Sequence, residues 1–135
     1  MLGAVAGDII GSPYEWNNTN DRYFELCRGT RGWFRGREVT CHPKFTDDTV
    51  MTLAIARWLM SDKDRSMSRL IETMQSMGRE YIDRGFAPTF RRWLESDNPR
   101  PNNSYGNGAA MRVSPVALTA QSLSEAIAVA RLTAQ

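Results

Sequence analysis

Phe45-Thr46-Asp47-Asp48-Thr49-Val50-Met51-Thr52-Leu53-Ala54-Ile55-Ala56-Arg57-Trp58-Leu59-Met60 sets the character of this chain. From Val50 to Met60 nearly every position is apolar, so hydrophobic residues cover most of a helical wheel. That is the pattern of a helix buried nearly all round, not of a surface helix. Two hydroxyls and two carboxylates stand where it begins. Desolvating adjacent like charges is costly unless something positive meets them. The free N–H groups and the dipole at a helix N-terminus meet part of that need. A hard cation such as Mg²⁺, which prefers carboxylate and hydroxyl oxygens, would meet the rest. Thr and Asp are also favoured in the cap and first turn of a helix, and such a segment taken alone is more often a helix start than a metal site. Both readings of Thr46, Asp47 and Asp48 stand on these residues.

The flanking segments are helical as well. Leu2 to Ser12 places Gly3, Gly7 and Gly11 along one ridge, which allows close helix–helix approach and suggests a tightly packed internal helix that Pro13 ends. Asp8 within it needs a buried partner and reads as structural, whereas Glu15 sits where helix gives way to loop. The stretch from about Asn17 to Lys44, rich in Gly, Arg, Asn and Thr, reads as a long irregular loop with room for one short hairpin, pinned to the core by Tyr23, Phe24, Trp33 and Phe34. Beyond the central helix, Met67, Leu70, Ile71, Met74, Met77, Tyr81 and Ile82 recur at three- and four-residue steps. They predict an amphipathic helix stopped at Gly85. A short helix over Thr89 to Glu95, a loop over Ser96 to Ser104, a helical stretch from Gly108 to about Ala120 disturbed by Pro115, and a last apolar helix opened by the capping box Ser122-Leu123-Ser124-Glu125 complete the chain. No run alternates convincingly at period two, so the fold class is all-α.

Bulk properties narrow the function. The 135 residues amount to one domain, residues 1–135. A net charge of +2 without a dense basic run does not signal nucleic acid. Cys27, Cys41 and the lone His42 are too few soft ligands for structural zinc, and the cysteines read as free thiols in a reducing cytosol. Asp8 interrupts the apolar amino-terminal stretch, which lacks a basic leader region, so the expectation is a cytoplasmic protein with no membrane span.

Ser104-Tyr105-Gly106-Asn107-Gly108 is the second chemically suggestive segment. Two glycines around an asparagine allow positive φ, so that successive N–H groups can face one anion, with Arg112 in the first turn of the following helix adding favourable field. Tyr105 offers a flat face for a base or sugar. The segment matches neither the P-loop nor the Rossmann pattern, and an ordinary loop-to-helix junction has the same composition.

The order Gly3-Ala4-Val5-Ala6-Gly7-Asp8-Ile9-Ile10-Gly11-Ser12-Pro13-Tyr14-Glu15, then Phe45-Thr46-Asp47-Asp48-Thr49, then Ser104 to Ala117 resembles the ADP-ribosylglycohydrolase family, and the similarity runs the length of the chain. The resemblance implies a compact, all-α, multi-helix orthogonal bundle. It implies a pair of Mg²⁺ or Mn²⁺ ions and hydrolysis of the glycosidic bond of an ADP-ribosylated protein side chain or a related ADP-ribosyl compound. By the same resemblance Thr46, Asp47 and Asp48 match the first group of metal ligands, and Glu15 matches the glutamate near the scissile bond. Asp47, Asp48 and Glu15 are thus the catalytic candidates. Ser104, Tyr105, Gly106, Asn107 and Gly108 match the loop that holds ADP-ribose. Gly85 to Phe90 falls at a further substrate loop that is usually richer in glycine.

The family's pattern continues past this sequence, with a later histidine-containing segment and a second D-x-D-T group. No Asp, Glu or His follows Glu125 here. The expectation is therefore a truncated chain, the amino-terminal part of a larger fold, with an incomplete binuclear site and activity in doubt. The alternatives are a non-catalytic ADP-ribose-binding module, or an inactive fragment that self-associates as a homo-oligomer through exposed apolar surface.

Overall fold

The structure, a computed structural model, describes residues 1–15, 30–34, 37–101 and 104–135. The expectations for Tyr23, Phe24 and Cys27 lie outside the described residues. The chain falls into two compact units, Met1–Thr46 and Asp47–Gln135.

In the first unit, α1 (Leu2–Gly11) runs into a single 3-10 turn over Ser12–Tyr14 that contains Pro13. Ser12 ties the turn to the returning chain: its hydroxyl donates to Ile9 O at 3.1 Å and accepts from Lys44 N at 3.0 Å. Strands β1 (Thr30–Phe34) and β2 (Arg37–Cys41) form an antiparallel hairpin with Thr30 opposite Cys41 and Phe34 opposite Arg37. This is the short hairpin for which the irregular stretch left room, and every other regular element among the described residues is helical. One expectation is corrected. α1 has no buried residue, and apart from the adjoining residues and the helix's own backbone nothing among the described residues comes within 4 Å of a Cβ built on Gly3, Gly7 or Gly11. Small residues on a ridge permit close approach but do not supply the partner.

The second unit is built on α2 (Asp47–Ser61). Met51, Ala54, Ile55 and Trp58 are fully buried, but Leu53, Arg57 and Met60 are exposed along one stripe, so the expectation of a helix buried nearly all round is corrected. Each large side chain taken from water in this way contributes about 1.5–3 kcal/mol. Against α2 pack α3 (Met67–Glu80), α5 (Gly108–Met111) and α6 (Ser114–Thr119), while α4 (Pro88–Glu95) lies on α3 and α7 (Leu123–Ala134) on α5 and α6. The α2–α3 turn is organised by Asp62. Its carboxylate accepts from Ser66 Oγ (2.7 Å), Ser66 N (2.9 Å), Asp64 N (3.1 Å) and Trp58 Nε1 (3.2 Å). Gln75 and Arg79 of α3 reach the carbonyls at the end of α4: Gln75 Nε2 donates to Trp93 O (3.0 Å) and Ser96 O (2.8 Å), and Arg79 Nε to Leu94 O (2.6 Å). They satisfy acceptors that the helix end leaves open.

Two boundaries differ from the sequence reading. α3 stops at Glu80, with Tyr81 as its C-cap, so Gly85 is not its terminator. The stretch after Gly108 is two helices, because Pro115 occupies the first turn of α6, where a missing N–H costs nothing, and the chain breaks at Arg112 and Val113. Half of the expected capping box forms: Ser122 Oγ accepts from Glu125 N at 3.2 Å, while Glu125 Oε2 accepts from Gln121 N, one residue before the cap, at 2.8 Å. No helix among the described residues is long and apolar enough to cross a membrane.

Candidate functional site

Asp47 begins α2, where the helix dipole favours negative charge. Its position is fixed by the turn after α3. The Asp47 N–H donates to Arg84 O at 2.8 Å. The next residue, Gly85, has φ +103°, and a Cβ built on it would lie 3.3 Å from Asp47 Oδ1. Only glycine takes that φ without strain, and only glycine leaves the carboxylate its room. Sequence reasoning found the glycine but gave it the wrong task, since a glycine a few residues past an amphipathic run has the look of a helix stop.

A cavity of about 220 Å³ opens beside Asp47 within the second unit. Its wall includes Ser104, Gly106, Asn107 and Gly108 from the loop before α5, Ala87, Thr89 and Phe90 from the start of α4, and the last residues of α7. The structure therefore brings Asp47 together with four of the five loop residues picked out from the sequence, across nearly sixty positions of chain. Tyr105 is the exception: its side chain is fully exposed and does not line the cavity. Asp48 is half-buried and also stands outside the lining. Thr46 is buried and Glu15 is exposed, both in the first unit.

The loop itself corrects the conformational expectation. Neither Gly106 nor Gly108 has a positive φ; among the described glycines only Gly85 does. Ser104 Oγ accepts from Gly106 N at 3.2 Å, forming the turn, and Asn107 O accepts from Ala110 N (2.8 Å) and Met111 N (3.0 Å) to start α5. The N–H groups of Gly108 and Ala109 are the ones a helix start leaves without an intrahelical acceptor.

Two aromatic side chains, Phe90 and Trp93, also line the cavity, whereas Phe86 does not. Phe86, Phe90 and Trp93 stack in sequence, with centroids 5.7 Å apart for the first pair and 5.2 Å for the second. Arg112 is the C-cap of α5, not a first-turn residue, and is almost wholly buried. Its Nη2 donates to Thr133 O, its guanidinium lies 6.0 Å from the Phe90 ring centroid, and its Nε has no hydrogen-bond partner among the described residues. Desolvation pulls its pKa below the ordinary arginine value. Arginine does not lose its proton in proteins, so it remains a positive charge at the cavity wall. The aromatic wall and the part taken by α7 were not foreseen. The Phe86-Phe90-Trp93 spacing was the available signal.

The donor set suits a hard cation. Thr46, Asp47 and Asp48 offer one hydroxyl and two carboxylates in consecutive positions. Among the described residues no three or more His, Cys, Asp or Glu side chains cluster as a metal cage. Hydroxyl and carboxylate oxygens are the donor types that a hard cation such as Mg²⁺ takes.

Comparison with known proteins gives this geometry a context. The chain is 29% identical over 154 residues to the ADP-ribosylhydrolase ARH3 of Homo sapiens, and 29% identical over 157 residues to that of Bos taurus; each comparison covers 100% of the chain and 42% of the relative. The ADP-ribosylhydrolase ARH3 of Xenopus tropicalis is 26% identical over 147 residues, covering 97% of the chain and 41% of the relative. The chain thus spans about two fifths of the length of the curated relatives it matches. The family model for ADP-ribosylglycohydrolase matches residues 1–135, and the chain belongs to the ADP-ribosylglycohydrolase family.

Proposed function

We propose that this chain carries the ADP-ribose-binding and first metal-ligand part of a Mg²⁺- or Mn²⁺-dependent hydrolase that cleaves the glycosidic bond of ADP-ribosylated protein side chains or related ADP-ribosyl compounds. The observation that carries the reading is the cavity that joins Asp47 to Ser104, Gly106, Asn107 and Gly108. An acidic helix start and a loop with donor N–H groups on one cavity is what a ligand with a diphosphate at one end and ribose hydroxyls at the other requires.

In this reading Thr46, Asp47 and Asp48 hold the cation, which when bound fixes ribose hydroxyls and makes a water more acidic. The loop from Ser104 to Gly108 and the stacked aromatic wall position the nucleotide, so that remote binding energy orients the reacting carbon. Glu15 is the carboxylate beside the scissile bond. It takes a proton from the attacking water as the bond to the protein side chain breaks and positive charge develops on the ribose. Glu15 passes that proton to the departing side-chain nitrogen or oxygen, the remaining hydroxide bonds to the ribose carbon, and free ADP-ribose is the other product. Tyr105, exposed as it stands, is assigned to the outer edge of the bound nucleotide. An ion held by three protein oxygens and otherwise by water is weakly held. The setting is cytoplasmic, which suits cysteines kept as thiols.

The test is release of ADP-ribose from an ADP-ribosylated serine or arginine peptide in Mg²⁺, with the Asp47→Ala/Asp48→Ala double variant alongside. The double variant is expected to lose more than the roughly 10–100-fold that outer-shell changes cost. Equal release by both proteins contradicts the reading. ADP-ribose binding that is undiminished in EDTA, with no release from any peptide, identifies a binding module instead.

A further inference from the structure

Asp8 lies within α1, yet both of its carboxylate oxygens are engaged by one residue 38 positions away. Oδ2 accepts from the Thr46 N–H at 2.8 Å, and Oδ1 accepts from the Thr46 hydroxyl at 2.7 Å. Thr46 is buried, and both residues belong to the first unit. A threonine hydroxyl has one proton, and an ionised carboxylate only accepts. With its proton donated to Asp8, Thr46 Oγ1 meets any other neighbour as an acceptor alone. The second bond, from the amide of the same residue, holds backbone and side chain against one rigid group, so the remaining lone pairs of Oγ1 have a set direction. A hydroxyl in that state is a ligand for a hard cation. A carboxylate behind a ligand, fixing its orientation and raising its basicity, is how outer-shell groups tune metal sites.

We propose that Asp8 is a positioning residue for the divalent cation, acting through Thr46: by accepting the hydroxyl proton and the amide hydrogen of Thr46, it presents Oγ1 to the ion as an oriented acceptor. The inference rests on the reading of Thr46, Asp47 and Asp48 as cation ligands. It departs from the sequence reading of Asp8, which assigned that carboxylate a purely structural bond.

The experiment measures Mn²⁺ affinity by electron paramagnetic resonance of the free ion, without substrate, for the wild-type protein and the variants Asp8→Asn, Thr46→Val, the two combined, and Asp47→Ala. Asparagine presents one acceptor where the carboxylate presents two. Asp8→Asn is expected to weaken Mn²⁺ binding by about 10–100-fold. Thr46→Val is expected to weaken it as well, and the combined variant should bind no more weakly than Thr46→Val alone, because Asp8 acts only through the hydroxyl. A carboxylate that merely held the chain in place would lower the unfolding midpoint and leave Mn²⁺ affinity unchanged, which overturns the proposal. Should Asp8→Asn not fold, Thr46→Val decides. It keeps the amide bond to Asp8 and removes only the hydroxyl, and wild-type Mn²⁺ affinity in it overturns the proposal. Asp47→Ala separates the two levels. If it abolishes binding while Asp8→Asn and Thr46→Val do not, the cation site stands and the role of Asp8 falls. If it binds like the wild type, the cation reading falls and this proposal with it.

Discussion

Replacing Gly85 with alanine perturbs the one described glycine whose conformation and surroundings both exclude a side chain. At φ +103° an alanine is held in backbone that non-glycine residues rarely adopt, at a cost of about 1–3 kcal/mol. Its Cβ would stand 3.3 Å from Asp47 Oδ1, so the carboxylate has to shift by a few tenths of an ångström. The bond from Asp47 N–H to Arg84 O, at 2.8 Å, ties that shift to the adjoining backbone. A net loss near 2 kcal/mol would lower the folded-to-unfolded ratio by up to about thirtyfold. Urea unfolding followed by far-UV circular dichroism reads this as a lower midpoint at unchanged slope. Mn²⁺ affinity measured on the folded variant should fall too, since Asp47 is displaced. Gly106→Ala is the control. Gly106 has no positive φ, and its Cβ would make an ordinary 3.4 Å contact with Ser104 Oγ, so its effect should stay within about 0.5 kcal/mol. A Gly85→Ala protein with wild-type stability and wild-type Mn²⁺ affinity would refute the reasoning.

Gly78→Ala tests the close approach of α3 and α4. A Cβ there would fall 2.7 Å from Leu94 Cδ1 in a packed contact, and a loss of about 1–3 kcal/mol in urea unfolding is expected. Ser122→Ala removes the acceptor for Glu125 N and should cost about 1 kcal/mol by the same measurement. Asp62 has its pKa lowered, first by the Ser66 hydroxyl and then by the backbone N–H groups it accepts from. A depressed carboxylate contributes stability above its unfolded pKa, and that stability is lost as pH falls through the folded value. The wild type should therefore lose more stability between neutral and acid pH than Asp62→Asn, and parallel pH profiles would contradict the assignment.

How much of this was legible depended on range. α2 was readable as a helix with a buried face because its run is so largely apolar, although the run did not mark Leu53, Arg57 and Met60 as an exposed stripe. The cap at Ser122 was readable because its partners are three residues apart. Pro115 announced a disturbance without saying that α6 would start there. What escaped were contacts set by tertiary geometry. Gly85 had a sufficient local explanation as a helix stop, so nothing in the sequence directed attention to Asp47. Asp8 and Thr46 are joined across 38 positions by a bond that no periodicity encodes. The glycine ridge of α1 predicted a partner that the described residues do not provide, since spacing states what is permitted and not what is present. In the candidate site, residue types alone marked Asp47 and the loop from Ser104 to Gly108. That they share a cavity, and that Tyr105 is exposed and does not line it, is a property of the fold.

The central claim is that the acidic start of α2 grips a divalent ion beside a bound ADP-ribosyl group. Crystals grown with Mn²⁺ and ADP-ribose, measured at the manganese absorption edge, test it most directly. The account predicts an anomalous peak within coordinating distance of Thr46 Oγ1 and the Asp47 and Asp48 carboxylates, with the ligand in the adjoining cavity. Density for ADP-ribose in that cavity with no anomalous peak at those side chains would contradict it.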